Sequence, residues 1–186
     1  MKKLLTLLLG LLLITPIIAQ KRDITLDDLW KNYIFSPKVY SGLNSMNDDE
    51  HYVNIEKNDK GQEIIKYQFK NGKKIRTLFR SYEFEIPTIT NYTFSKNEKL
   101  LLLETKTQKI YRYSSKSVYY IYNILTKKLK KLTDDKVMHA TFSPKGDKIA
   151  YVFNNNLFIQ SIITGEVTQI TNDGKKNHII NGASDW

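Results

Sequence analysis

The stretch 109–123, "KIYRYSSKSVYYIYN", sets a single arginine among five tyrosines. A guanidinium is a planar fork of five donors that stays charged, which suits a carboxylate or carbonyl acceptor. The flanking tyrosines supply flat walls and hydroxyls. Arg112 is therefore the candidate binding residue, against the plainer alternative of a solvated charge on a long hairpin. Other chemistry-bearing residues lack partners. His51, His139 and His178 have no evident nucleophile beside them and read as surface or turn residues. No serine lies in a Gly-x-Ser-x-Gly elbow, and no glycine-rich phosphate loop occurs. "NDDE" (47–50) lacks the alternating ligands and the glycine of a calcium loop and reads as a turn. Asn91-Tyr92-Thr93 is a glycosylation sequon, meaningful only in a host that glycosylates.

The two ends and the composition bound the setting. Lys2 and Lys3 form a basic leader, Leu4–Ile14 an apolar run broken by Pro16, and Ala19 is small enough for cleavage. Residues 1–19 thus read as a secretory signal peptide, the run being short for a membrane span of about 20 residues. An uncleaved anchor is the alternative. The destination is outside the cytoplasm, periplasmic or at the cell envelope. With no cysteine, stability rests on packing and hydrogen bonds, and thiolate zinc sites are excluded. The formal net charge is +10, yet the lysines are spread thinly, so a solvated basic surface is expected rather than a nucleic-acid partner. No metal or cofactor site is expected.

β signals dominate the chain past the leader. "ATFSPKGDKIAYVFNNNLFIQSIITGEVTQIT" (140–171) reads as four strands joined by three turns. Pro144 and Gly146 suit one tight turn, Asn154–Asn156 a second through the left-handed region, and Thr164-Gly165-Glu166 a third. "IAYVF" (149–153) is a continuous apolar run, as in a strand covered on both faces. The pattern recurs. "YTFSKNEKLLLLET" (92–105) mirrors "ATFSPKGDKIAYVF" with a 48-residue shift, and "YNILTKKLKKLT" (122–133) matches "QSIITGEVTQIT". A fainter copy runs from "SMNDDEHYVNI" to "KNGKKIRTLF" (45–79). Each copy closes on an apolar pair three apart (Ile75 and Leu78, Leu129 and Leu132, Val167 and Ile170), which predicts a short, twisted outer strand.

Four short strands recurring every 40–50 residues mark a propeller blade. The chain is expected to be all-β: a partial β-propeller of about three four-stranded blades and the start of a fourth, "NHIINGASDW". Three blades leave open sheet edges, so the reading is of the front piece of a longer protein; a self-contained three-sheet fold is the alternative. Ser143 to Ile170 spans 27 positions and Ser95 to Leu132 spans 37, so the second unit carries ten extra residues near Lys106–Ser115. Insertions in repeats project from one face, often the binding face, and Arg112 lies in this one. Ahead of the blades, Thr25 is placed to cap a short helix containing Asp27, Asp28 and Leu29.

"GLNSMNDDEHY", "YRYSSKSVYYIYN", "ATFSPKGDKIAYVFNNNLFI" and "TNDGKKNHIINGASDW" resemble the start of a dipeptidyl peptidase IV, of the prolyl-oligopeptidase type and closest to the bacterial exported members. The likeness runs from about Ile24 to Trp186. It implies an eight-bladed propeller over an α/β-hydrolase domain, and a serine peptidase that releases X-Pro or X-Ala dipeptides from peptide N-termini. Residues 1–19 would be the signal peptide, 20–44 a lead-in packing on that hydrolase domain, and 45–186 the N-terminal part of the propeller. The catalytic residues and a glutamate pair that binds the substrate's ammonium would lie beyond Trp186, so no catalytic residue is expected in this chain, which alone should be inactive. The partners implied are a peptide N-terminus, the hydrolase domain of the same full-length chain and a homodimer, with no cofactor. Arg112-Tyr113-Ser114, before "VYYIY", matches the family's substrate-contacting arginine, which makes Arg112 the substrate-binding residue. A non-catalytic propeller binding protein or glycan at the cell envelope is the rival function.

Overall fold

The computed structural model describes residues 23–37 and 43–183, so the signal-peptide reading and Ser184–Trp186 fall outside the described residues. The chain divides into two units, 1–39 and 40–186.

The first unit holds one short helix, α1 (Leu26–Trp30). Thr25 caps it as expected: its hydroxyl accepts from the Asp28 amide at 3.1 Å while the Asp28 carboxylate accepts from the Thr25 amide at 3.1 Å. Two otherwise orphaned amides are satisfied by this box, and Asp27 and Asp28 favour the positive end of the helix dipole. Leu26, Trp30 and Phe35 stand exposed.

The second unit is three four-stranded antiparallel sheets, each built from four strands in sequence order. The first has β1 (Asn44–Ser45), β2 (His51–Asn58), β3 (Gly61–Gln68) and β4 (Lys74–Arg80). The second has β5 (Ile89–Phe94), β6 (Leu100–Lys109), β7 (Ser115–Asn123) and β8 (Leu129–Lys131). The third has β9 (Met138–Phe142), β10 (Lys148–Phe153), β11 (Asn156–Ser161) and β12 (Val167–Gln169). These are the three propeller blades, with boundaries close to those the repeats predict.

Turn chemistry sets the hairpins. Asn154 and Asn155 take φ of 47° and 62°, so both central residues are left-handed and Phe153 pairs with Asn156 in a two-residue hairpin. Gly146 (φ 72°) closes the β9–β10 turn, its amide donating to the Ser143 carbonyl at 2.8 Å. "NDDE" is a turn, closed by the Met46 amide on the His51 carbonyl at 2.9 Å.

Packing follows the two-residue period of the strands. On the second blade Leu101, Leu103 and Tyr122 face the first blade, meeting Val53, Ile64, Leu78 and Phe79. Leu102, Tyr119 and Ile121 face the third, meeting Val137, Ile149 and Tyr151. A sheet buried on both faces needs apolar residues on both, which is why "LLLL" (100–103) and "IAYVF" are unbroken runs. Phe79 stacks on Phe84 at 5.5 Å and meets Tyr122 edge-on at 4.8 Å, locking the first two blades together.

One expectation needs correction. The outer strand is short in the second and third blades, but β4 has seven residues. Register shifts between Ile64 and Ile65, and between Lys66 and Tyr67, let β4 follow β3 for nearly its full length. Of the closing apolar pairs, Leu78 and Leu132 are buried, whereas Ile75, Val167 and Ile170 are exposed. After β12, residues 176–178 form a turn bridged by Lys175 and Ile179, and no strand of a fourth sheet is present among the described residues.

Candidate functional site

The second blade carries the insertion where the repeats place it. β6 has ten residues and β7 nine, against six in each of β10 and β11. The excess forms a hairpin with Ile110–Ser114 at its tip. Tyr111 and Tyr113 are 60% and 78% exposed, so these rings are surface groups and not core. Arg112 stands exposed between them, with no ion-pair or hydrogen-bond partner among the described residues. The tip closes through the Ser114 carbonyl, which accepts from the amides of Ile110 at 2.9 Å and Tyr111 at 3.3 Å. Ser114 is 6% exposed, and its hydroxyl has no partner among the described residues. The tip therefore presents a guanidinium unpaired among the described residues and two phenols, while the Ser114 hydroxyl is buried.

Beneath the hairpin the ladder slips. Thr105 pairs with Val118 and Gln108 with Lys116, so two residues of β6 oppose Ser117 alone. Lys106 takes φ of 50° there. Such a bulge bends the strand and re-aims whatever lies beyond it. Its interior is polar. The Glu104 carboxylate accepts from the hydroxyls of Ser117 at 2.6 Å and Thr107 at 3.1 Å. The hydroxyls of Thr90 and Thr107 lie 2.6 Å apart. Ser117 is fully buried, and its backbone exchanges two 2.9 Å hydrogen bonds with Val137 at the approach to the third blade. Burial pushes the nearby Tyr119 phenol up to about 12, with the Glu104 charge adding to it.

A groove of about 660 Å³ opens beside the hairpin base. Met138, Val152 and Phe153 give it an apolar floor, and Lys116, Lys136 and Asp135 charge its rim. The three histidines lie apart from it: His51 bonds Asp48 at 2.8 Å in the "NDDE" turn, His139 is exposed at a bulge of β9, and His178 is exposed past β12. Arg112, the residue the sequence singles out, stands at the hairpin tip. Glu104, Thr107 and Ser117 were not singled out, although a carboxylate directly after four leucines, within a stretch that overruns the repeat, was the available signal.

Comparison with known proteins converges on one family. Residues 95–186 match the model of the dipeptidyl peptidase IV (DPP IV) N-terminal region. The chain is 30% identical over 170 residues to dipeptidyl peptidase 4 of Felis catus, covering 89% of this chain and 21% of that one. It is 29% identical over 125 residues to prolyl endopeptidase FAP of Homo sapiens, covering 66% of this chain and 16% of that protein. The crystal structure of Porphyromonas gingivalis dipeptidyl peptidase 4 superposes with a TM-score of 0.76 at 34% identity, over 89% of this chain and 24% of that one. The chain thus spans about a fifth of the length of such relatives.

Proposed function

Because the chain belongs to the dipeptidyl peptidase IV family, through the N-terminal propeller region, we propose that it supplies the first blades of an exported serine exopeptidase. That enzyme removes X-Pro or X-Ala dipeptides from peptide N-termini. These blades gate and position substrate, while the triad lies in a C-terminal α/β-hydrolase domain of the full-length protein. The acyl transfer there uses a serine nucleophile, a histidine base and an oxyanion hole, none of them contributed by this chain. The lead-in packs on that domain through its exposed apolar side chains, and the leader directs the protein to the periplasm or envelope.

The observation that carries the reading is the projecting β6–β7 hairpin with Arg112 free at its tip. A guanidinium there holds a backbone carbonyl of the substrate by a charge-assisted hydrogen bond worth about 1.5–3 kcal/mol. It bonds ground state and transition state alike, so its loss acts on KM more than on kcat. Arg112→Ala in the full-length enzyme should raise KM for a Gly-Pro substrate about tenfold or more, with kcat changed little. Steady-state kinetics check this, and an unchanged KM removes Arg112 from the site. The 186-residue chain by itself should release no dipeptide from the same substrate.

A further inference from the structure

We propose that Glu104 is the positioning residue of the Arg112 hairpin, acting through Thr107 and Ser117. The inference rests on the reading of Arg112 given above.

Beyond the bulge only two residue pairs, Gln108 with Lys116 and Lys109 with Ser115, hold the hairpin as a ladder. A two-pair ribbon has little stability of its own, so the direction of its tip is set where it leaves the sheet. At that point three hydroxyls stand near one carboxylate. Ser117 and Thr107 each reach Glu104 Oε1 as donors, and the Ser117 and Thr107 hydroxyls lie 3.0 Å apart. The Thr90 hydroxyl lies 2.6 Å from the Thr107 hydroxyl and 3.2 Å from the Glu104 carbonyl, either of which can take its one proton. The Thr107 side chain is thereby tied to Glu104 on its own strand, and either bond of Thr90 ties this stretch to β5. Ser117 is held on its other side by the backbone of Val137. The bulge is clamped to both neighbouring strands, and the left-handed Lys106 between Thr105 and Thr107 is kept in place by bonds on either side: Thr105 Oγ1 donates to the Val118 carbonyl at 3.1 Å.

The charge at residue 104 is not what the clamp requires. It requires an oxygen able to accept two hydroxyl protons at this depth, which an amide oxygen also provides. That separates a clamp from a role of the carboxylate in substrate binding. Glu104→Gln keeps the acceptor and removes the charge, whereas Glu104→Ala removes both. The pair Thr107→Val with Ser117→Ala removes the donors and leaves the carboxylate in place.

The test uses the full-length enzyme, with steady-state kinetics on a Gly-Pro substrate and hydrogen exchange of the Ile110 and Tyr111 amides. Glu104→Ala and the Thr107/Ser117 double variant should each raise KM at least about threefold with kcat within about twofold, and exchange at both amides should accelerate about tenfold. Glu104→Gln should stay near wild type in both readouts. Arg112→Ala combined with Glu104→Ala should be no worse than Arg112→Ala alone, since one acts through the other. Two results overturn the clamp: additive effects in the combined variant, or unchanged exchange in Glu104→Ala. An Arg112→Ala enzyme with normal KM overturns the substrate role instead, and hydrogen exchange alone then decides the clamp. Should Glu104→Ala fail to fold, the Thr107/Ser117 variant carries the same readouts.

Discussion

At the scale of single residues, the strongest local electrostatics lie in the "NDDE" turn rather than at the hairpin. Asp48 accepts from Lys66 Nζ at 2.9 Å, from His51 Nδ1 at 2.8 Å, and from the amides of Glu50 and His51. The Lys66 ammonium is the main reason its carboxyl stays well below the usual carboxylate range, with burial opposing and His51 helping. A depressed folded pKa means stabilisation that is present above the unfolded value, near 4, and lost as pH falls through the folded one. Asp48→Asn should therefore lower the melting temperature at pH 7, and its gap to wild type should close as pH drops toward about 2. Thermal melts across that range check this, and a gap of constant size would assign the effect to geometry alone. Half-exposed groups feel solvent and salt, so added salt should narrow the gap as well. Arg112 shows what residue type alone conveys: the guanidinium, its tyrosine flanks and its place in an insertion were all readable in the sequence. Its freedom from partners was not, because an arginine in a tyrosine-rich strand has many potential acceptors until the neighbouring chain is placed.

At the scale of elements, the turns were legible and the bulges were not. Asn154 and Asn155 adopt the left-handed conformation that asparagine tolerates and most residues resist. Asn155→Ala should cost about 1 kcal/mol of stability and Asn155→Gly a few tenths or less, measured by urea denaturation. The Asn155 carbonyl, which accepts from the Asn181 amide at 3.0 Å, is backbone and survives both changes. Bulges have no such chemistry written into them. Lys106 holds φ of 50° although lysine does not invite it, His139 holds 54°, and each sits beside a register shift in its ladder. Those conformations are imposed by pairing on both sides, so a local pattern cannot announce them. For the same reason β4 came out longer than its apolar spacing suggested: the shifts in its register against β3 depend on both strands at once.

At the scale of the whole molecule, the two core clusters join first blade to second and second to third. Phe79 is at the centre of the first junction, 1% exposed and in contact with the rings of Phe84 and Tyr122. Phe79→Ala should cost about 3–5 kcal/mol, through lost burial and the cavity left behind. Leu125→Ala, at a residue 85% exposed, should fall within about 0.5 kcal/mol of wild type in the same denaturation series. Equal costs at the two positions would contradict a stability held at the faces between blades. What the sequence determined by itself was the repeat, its strand count, most of its turns and the site of the insertion. All of these follow from side-chain period and turn residues acting within a dozen positions. What only the tertiary structure decided was which face of each blade meets which neighbour, where the ladders slip, and how Glu104, Thr107 and Ser117 converge beneath Arg112. Those are set by contacts between strands, where a one-residue change of register reverses every side chain and no single strand specifies its partner.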